Sequence, residues 1–171
     1  MQIHAKPPGN LRRPLLLIDV DGVISLFGPA LDVRSGGRWV SVEGIPHFLS
    51  EQAGRHLRAL ADEFECVWCT GWEEKADEHL RHALDLPGSW PHLRFTTPPD
   101  GAHWKLSAID AHAGPDRPLA WIDDSFDDRV HAWAERRRGP TLLVSTESDV
   151  GLTEEHVERV RQWAKRLRGD P

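Results

Sequence analysis

Two short apolar runs, Leu15-Leu16-Leu17-Ile18 and Leu119-Ala120-Trp121-Ile122, each stop abruptly at an aspartate. Runs of this length without polar alternation suit strands buried on both faces. Further short apolar runs, Glu65 to Cys69, Leu93 to Phe95 and Thr141 to Val144, alternate with longer amphipathic segments. That alternation predicts an α/β chain with a five-stranded, mostly parallel sheet. Phe48, Leu49, Ala53, Leu57, Leu60 and Ala61 recur at helical spacing and predict a helix over 46–63. Further helices are expected over 73–84, 104–113 and 127–138. A last one is expected after Thr153, with Glu154 and Glu155 in its favourable first turn and Val157, Val160, Trp163, Ala164 and Leu167 on its apolar face. Between the first strand and the first helix, 23–43 carries Gly28-Pro29 and Gly36-Gly37 as breakers. Apolar stretches flank them, Val23 to Phe27 and Arg38 to Val42, which predicts a paired-strand flap.

The chain's 171 residues fit one domain, 1–171, with 1–13 expected to be flexible. No apolar run approaches a membrane span, and the polar first ten residues contain no hydrophobic stretch of the secretory type. The expectation is therefore a cytoplasmic protein without membrane association. The net charge of −6 argues against strong non-specific nucleic-acid binding, although a nucleic-acid end as substrate stays open. Cys66 and Cys69 form a C-x-x-C, but they lie within a strand, where residues three apart face opposite sides. They read as two small buried residues rather than a redox pair or half a zinc site. His79 and His82 read as a solvated helix face, which leaves metal binding to the aspartates.

Ligands of open α/β sheets bind beyond the carboxyl ends of the strands, so the polar residues there carry most weight. The first strand ends Asp19-Val20-Asp21-Gly22-Val23. In extended backbone Asp19 and Asp21 share a face, and two close carboxylates repel unless a cation or a proton lies between them. Another strand ends Thr70-Gly71-Trp72 before a helix, where a hydroxyl and backbone N–H groups suit an anionic oxygen. Lys105, one of only four lysines, stands at a helix start, where the dipole disfavours a cation but a phosphate would want one. A fourth strand ends Asp123-Asp124, a donor set for a hard cation. Each item has an ordinary explanation as an acidic turn, an N-cap or surface solvation. The four in this order do not.

The four motifs together resemble the haloacid dehalogenase superfamily of aspartate-nucleophile phosphohydrolases, over Leu15 to Asp124. The resemblance implies a Rossmann-like three-layer α/β/α sandwich built on the five-stranded, mostly parallel sheet. It implies Asp19 as nucleophile forming an aspartyl-phosphate, and Asp21 as general acid, then base. It implies Thr70, Gly71 and Lys105 as phosphate ligands. It also implies Mg²⁺ as cofactor, on Asp19, the backbone carbonyl of Asp21 and Asp123, with Asp124 holding a metal-bound water or making a direct contact. An acid at position 21 points to hydrolysis of phosphate monoesters. Phosphoryl transfer to another acceptor, or a catalytically idle phosphate- and Mg²⁺-binding regulatory module on the same fold, are the alternatives.

Members of this superfamily usually select small substrates with a cap domain inserted after the first or second motif. Here 48 residues separate Asp21 from Thr70 and 34 separate Thr70 from Lys105. Expected core elements and the flap consume both gaps, so the resemblance implies a capless member with an open site. Such a site suits an extended phosphorylated substrate such as a nucleotide or a nucleic-acid end, or closes by homo-oligomerisation. Trp39, Trp72 and Trp104 lie near the motifs or the flap and are candidates to stack on a flat group. Trp68, Trp121, Trp133 and Trp163 fit core faces.

Overall fold

The computed structural model describes residues 12–97, 101 and 103–169. Its centre is a parallel sheet in the order β5-β1-β6-β7, with β1 at Leu15–Ile18, β5 at Glu65–Trp68, β6 at Leu119–Asp123 and β7 at Thr141–Ser145. Alternation of side chains along each strand divides the interior into two cores. Leu16, Ile18, Trp68, Ala120, Ile122 and Val144 face one layer of helices: α1 (Glu51–Leu60), α2 (Glu74–Ala83) and α5 (Glu154–Arg168). Leu15, Leu17, Val67, Leu119 and Trp121 face the other: α3 (Leu106–Ala113) and α4 (Asp128–Arg136). The three-layer α/β/α sandwich is thus present. Cys66 and Cys69 fall on opposite faces, both buried and unbridged, and burial raises both thiols, Cys66 to about 12. Neither is poised for redox chemistry.

Among the described residues the central sheet has four strands, not five. The stretch Leu93 to Phe95 does not become a strand. The chain touches the sheet edge at one bridge, His92 beside Trp68, with Trp68 N donating to Pro91 O and Leu93 N to Trp68 O. Pro91 has no N–H to extend that ladder backwards.

The flap is larger than expected and paired differently. Ser25–Leu26 (β2) and Gly37–Val42 (β3) do not pair with each other; both pair antiparallel with Ile45–Ser50 (β4), which lies between them. The helix expected from residue 46 therefore begins only at Glu51. Glu43 and Gly44 both take positive φ, 50° and 83°, the two-residue turn that joins tightly twisted antiparallel strands. Ser50 then ends β4 and caps α1, its hydroxyl accepting from Ala53 N at 3.1 Å. Phe48 and Leu49 happen to be in helical phase with Ala53 and Leu57, and that coincidence hid the strand.

Of the segment expected to be flexible, residues 1–11 lie outside the described residues. Arg13 is tied down, Nη1 donating to the carbonyls of Ala61 and Asp62 at 3.1 and 3.2 Å. Residues 98–100 and 102, in and just after the Pro-Pro-Asp-Gly stretch before α3, also lie outside the described residues. Among those described, no helix is long and apolar enough to cross a membrane.

Candidate active site

All four strand ends of interest open on the same edge of the sheet. Asp19 follows β1, with its backbone N–H donating to Ile122 O at 3.0 Å. Cys69 N donates to Ile18 O at 2.8 Å, which places Thr70 next to Asp19 on the neighbouring strand. Asp123 ends β6. Thr146 follows β7, its N–H donating to Asp123 O at 3.1 Å. The parallel register, which pairs Ile18 with both Trp68 and Ile122, levels these ends.

Lys105, the N-terminal flanking residue of α3, is 3% exposed and reaches into the acidic group. Its Nζ lies 2.6 Å from Asp123 Oδ2 and 3.2 Å from Asp19 Oδ2. A surface lysine it is not. Burial alone would depress its pKa, but Asp19 and Asp123 outweigh that and hold the ammonium above its ordinary range. Burial pushes Asp19 up to about 7; Lys105 opposes the rise and repulsion from Asp123 adds to it. Asp19 also accepts from Val20 N at 2.9 Å. Burial raises Asp124 too, with repulsion from Asp123 contributing and a 2.7 Å hydrogen bond from Ser148 Oγ opposing.

The side chains of Asp19, Asp123 and Asp124 each offer an oxygen within 4.8 Å of the others. Three carboxylates sharing one ammonium leave a surplus of negative charge in a mostly buried place. That surplus, and an all-oxygen donor set, fit a small hard divalent cation such as Mg²⁺. The backbone beneath is shaped to the same end. Gly22 has φ 75°, and a Cβ there would stand 2.1 Å from Asp124 Oδ2. Only glycine lets the Asp124 carboxylate occupy that position. Thr146 Oγ1 fixes the turn by donating to Gly22 O at 2.8 Å.

Asp21 does not join this group through its carboxylate. Its side chain is exposed, and Oδ2 accepts from Trp72 Nε1 at 3.0 Å. Trp72 is itself held by His47 of β4, ring centroids 4.6 Å apart and edge on, and His47 Nδ1 lies 2.9 Å from Ser25 Oγ. Thr70 is buried, with its Oγ1 accepting from Trp72 N at 3.3 Å. Gly71 is exposed, and a Cβ on it would be only 3.7 Å from the Trp104 ring. Trp104 packs edge on against Phe95 at 4.7 Å and carries Lys105 Nζ over its face at 4.9 Å.

In the sequence Trp72 is a stacking candidate; the structure makes it a donor to Asp21. Thr146, Ser148 and His47 belong to no sequence motif. For Thr146 and Ser148 the signal is their place just after a buried apolar strand. For His47 there is none, because the spacing around it is helical.

A parallel α/β sandwich with acids gathered at one sheet edge, Asp19 and Asp123 clasping a buried lysine, Asp124 beside them and Asp21 exposed nearby, is the arrangement that the resemblance to the haloacid dehalogenase superfamily implies. The chain belongs to the family described as the HAD domain in Swiss Army Knife RNA repair proteins, whose model matches residues 15–157. No curated protein matches the chain. Among solved structures it resembles the HAD domain of the effector protein Lem4 from Legionella pneumophila, an inactive mutant. The TM-score is 0.61 at 9% identity, covering 92% of this chain and 97% of that one. It also matches a putative 3-deoxy-D-manno-octulosonate 8-phosphate phosphatase from Vibrio cholerae, at TM-score 0.45 and 17% identity, covering 94% of this chain and 87% of that one. The first likeness is one of fold.

Proposed function

We propose that this chain is a Mg²⁺-dependent phosphohydrolase that cleaves a phosphate monoester at an RNA end through an aspartyl-phosphate on Asp19. One observation carries the reading: Asp19, Asp123 and Asp124 converge within 4.8 Å beside a lysine buried between two of them. The RNA end is suggested by the family, described by its place in RNA repair proteins. A net charge of −6 suits recognition of a terminus better than of a long tract.

A carboxylate attacking a phosphate dianion meets like-charge repulsion. Lys105 Nζ offsets part of it at the point where Asp19 would attack. Thr70 and the backbone around Gly71, at the neighbouring strand end, would bind the phosphoryl oxygens. Bound Mg²⁺, held by Asp19, Asp123, Asp124 and the Asp21 carbonyl, would neutralise phosphate charge and favour ionised Asp19. In the first step an Asp19 oxygen bonds to phosphorus and the P–O bond to the ribose breaks, its oxygen taking a proton from Asp21. In the second, Asp21 takes a proton from water, the water oxygen bonds to phosphorus, and the bond to Asp19 breaks to release phosphate. The flap, β2 to β4, serves as the cover of the site in place of a separate cap, and the cytoplasm is the compartment in which the chain would act.

The test is release of inorganic phosphate from an aryl phosphate and from 3′- and 5′-phosphorylated oligoribonucleotides, with Mg²⁺ or with EDTA. Activity should require Mg²⁺ and vanish in Asp19→Asn. Full turnover by that variant would overturn the assignment.

A further inference from the structure

We propose that the cleft between the flap and Asp21 is the seat of the nucleobase belonging to the nucleotide whose phosphate is cleaved, with Trp39 as its stacking platform. This rests on the phosphohydrolase reading above and assigns the part of the substrate beyond the phosphate.

The cleft has a volume of about 510 Å³, within the usual range of small-molecule sites (about 300–1,000 Å³). Phe48 forms a buried floor, while Trp39 and Phe27 are 59% and 50% exposed and supply apolar faces. Trp39 and Phe48 are paired residues on β3 and β4, ring centroids 5.4 Å apart, so the platform stands on a hydrogen-bonded ladder rather than a loose loop. His47, Ser25 and Asp21 add polar groups to a wall otherwise formed mainly of apolar side chains. A tryptophan left more than half exposed beside a phenylalanine left half exposed is an unfavourable surface unless something flat covers it.

Continuity with the phosphate site identifies what covers it. Asp21 lines the cleft and is also the residue proposed to protonate the leaving oxygen. Whatever fills the cleft is therefore attached to that leaving oxygen, on the side of the scissile bond away from Asp19. For a ribonucleotide that group is the ribose and its base. The other two tryptophans near the site are not free to serve. Trp72 is engaged by His47 and Asp21, and Trp104 by Phe95 and Lys105.

The proposal is tested by isothermal titration of Asp19→Asn protein, with and without Trp39→Ala, using adenosine 3′-phosphate, adenosine 5′-phosphate, ribose 5-phosphate and a short oligoribonucleotide bearing a terminal phosphate. Base stacking on an aromatic side chain predicts roughly tenfold or tighter binding of a base-bearing phosphate over ribose 5-phosphate. Trp39→Ala should erase most of that ratio and Trp39→Phe should retain part of it. Equal binding of base-bearing and abasic compounds overturns the proposal, as does a Trp39→Ala loss equal for both or no binding of any base-bearing compound. Tighter binding of the oligonucleotide than of the mononucleotides supports the base site with RNA as its source; equal binding supports it with free nucleotides as its source. Phosphate release by the unsubstituted protein is followed in parallel. Base-dependent binding without release counts against hydrolysis and for the base site; release without base preference does the reverse.

Discussion

Asp19→Asn should make the metal-free protein more stable while abolishing its proposed chemistry. The folded state holds Asp19 in a place that disfavours its charge. Burial lifts the carboxyl from 3.8 to about 7. At about 1.4 kcal/mol per unit, keeping it ionised costs at most about 4 kcal/mol. The variant removes that net cost, which already includes the offsetting 3.2 Å ion pair with Lys105; Lys105 keeps Asp123 at 2.6 Å, but the buried Asn amide brings a desolvation cost of its own. A net gain of about 1–3 kcal/mol is expected on balance. For a chain of this size that is a rise in Tm of roughly 3–10 °C. The sign follows from the raised pKa. A group that binds its proton more tightly when folded favours the fold fully below about pH 4, and that contribution is lost as pH rises through about 7. The gain from Asp19→Asn should therefore be largest near pH 8 and fade towards pH 4. The assay is thermal and urea unfolding of both proteins in EDTA at the two pH values, repeated with Mg²⁺. The cation should stabilise the unsubstituted protein more than the variant. A variant less stable than its parent at pH 8 in EDTA, or a gain of equal size at both pH values, would refute the reasoning.

Trp72→Phe keeps a ring against His47 and removes the 3.0 Å hydrogen bond to Asp21. Turnover of an alkyl phosphate, whose leaving oxygen needs a proton, should fall about three- to tenfold. An aryl phosphate should lose less, and steady-state kinetics on the two substrates reads the difference. Gly22→Ala forces a Cβ onto Asp124 at a backbone position with φ 75°. It should cost about 1–3 kcal/mol in urea unfolding and weaken Mg²⁺ binding measured by calorimetry. His156 accepts from Thr153 N at 3.1 Å at the start of α5, and burial lowers its pKa. Its stabilising contribution is present above about pH 6.5 and is lost as pH falls through its lower folded value. His156→Gln can still accept that hydrogen bond, so it should flatten the unfolding midpoint's dependence on pH in that window.

The apolar runs around Leu17 and Trp121 needed no tertiary information to be recognised as buried parallel strands, because burial on both faces leaves no room for polar alternation. The same pattern marks Asp19, Asp21, Thr70, Lys105, Asp123 and Asp124 as strand-end or helix-start residues, and their resemblance to a known superfamily implies the three layers. β4 was hidden, because Phe48 and Leu49 fit either a strand face or the following helix, and its partners β2 and β3 settle the choice only through long-range hydrogen bonds. The expected fifth strand is reduced to one bridge at His92: Pro91 beside it is legible in the sequence as a ladder breaker, but where the chain meets the sheet edge is not. Lys105 shows the division most clearly. Its position marked it as a candidate phosphate ligand, yet its burial between two aspartates depends on three separate strand and helix ends meeting. So do the donation from Trp72 to Asp21 and the cleft beneath Trp39. Local sequence determined which residues would stand at the edge of the sheet, since periodicity is a local property. Which of them face one another, and at what cost in buried charge, was decided by packing between segments far apart in the chain.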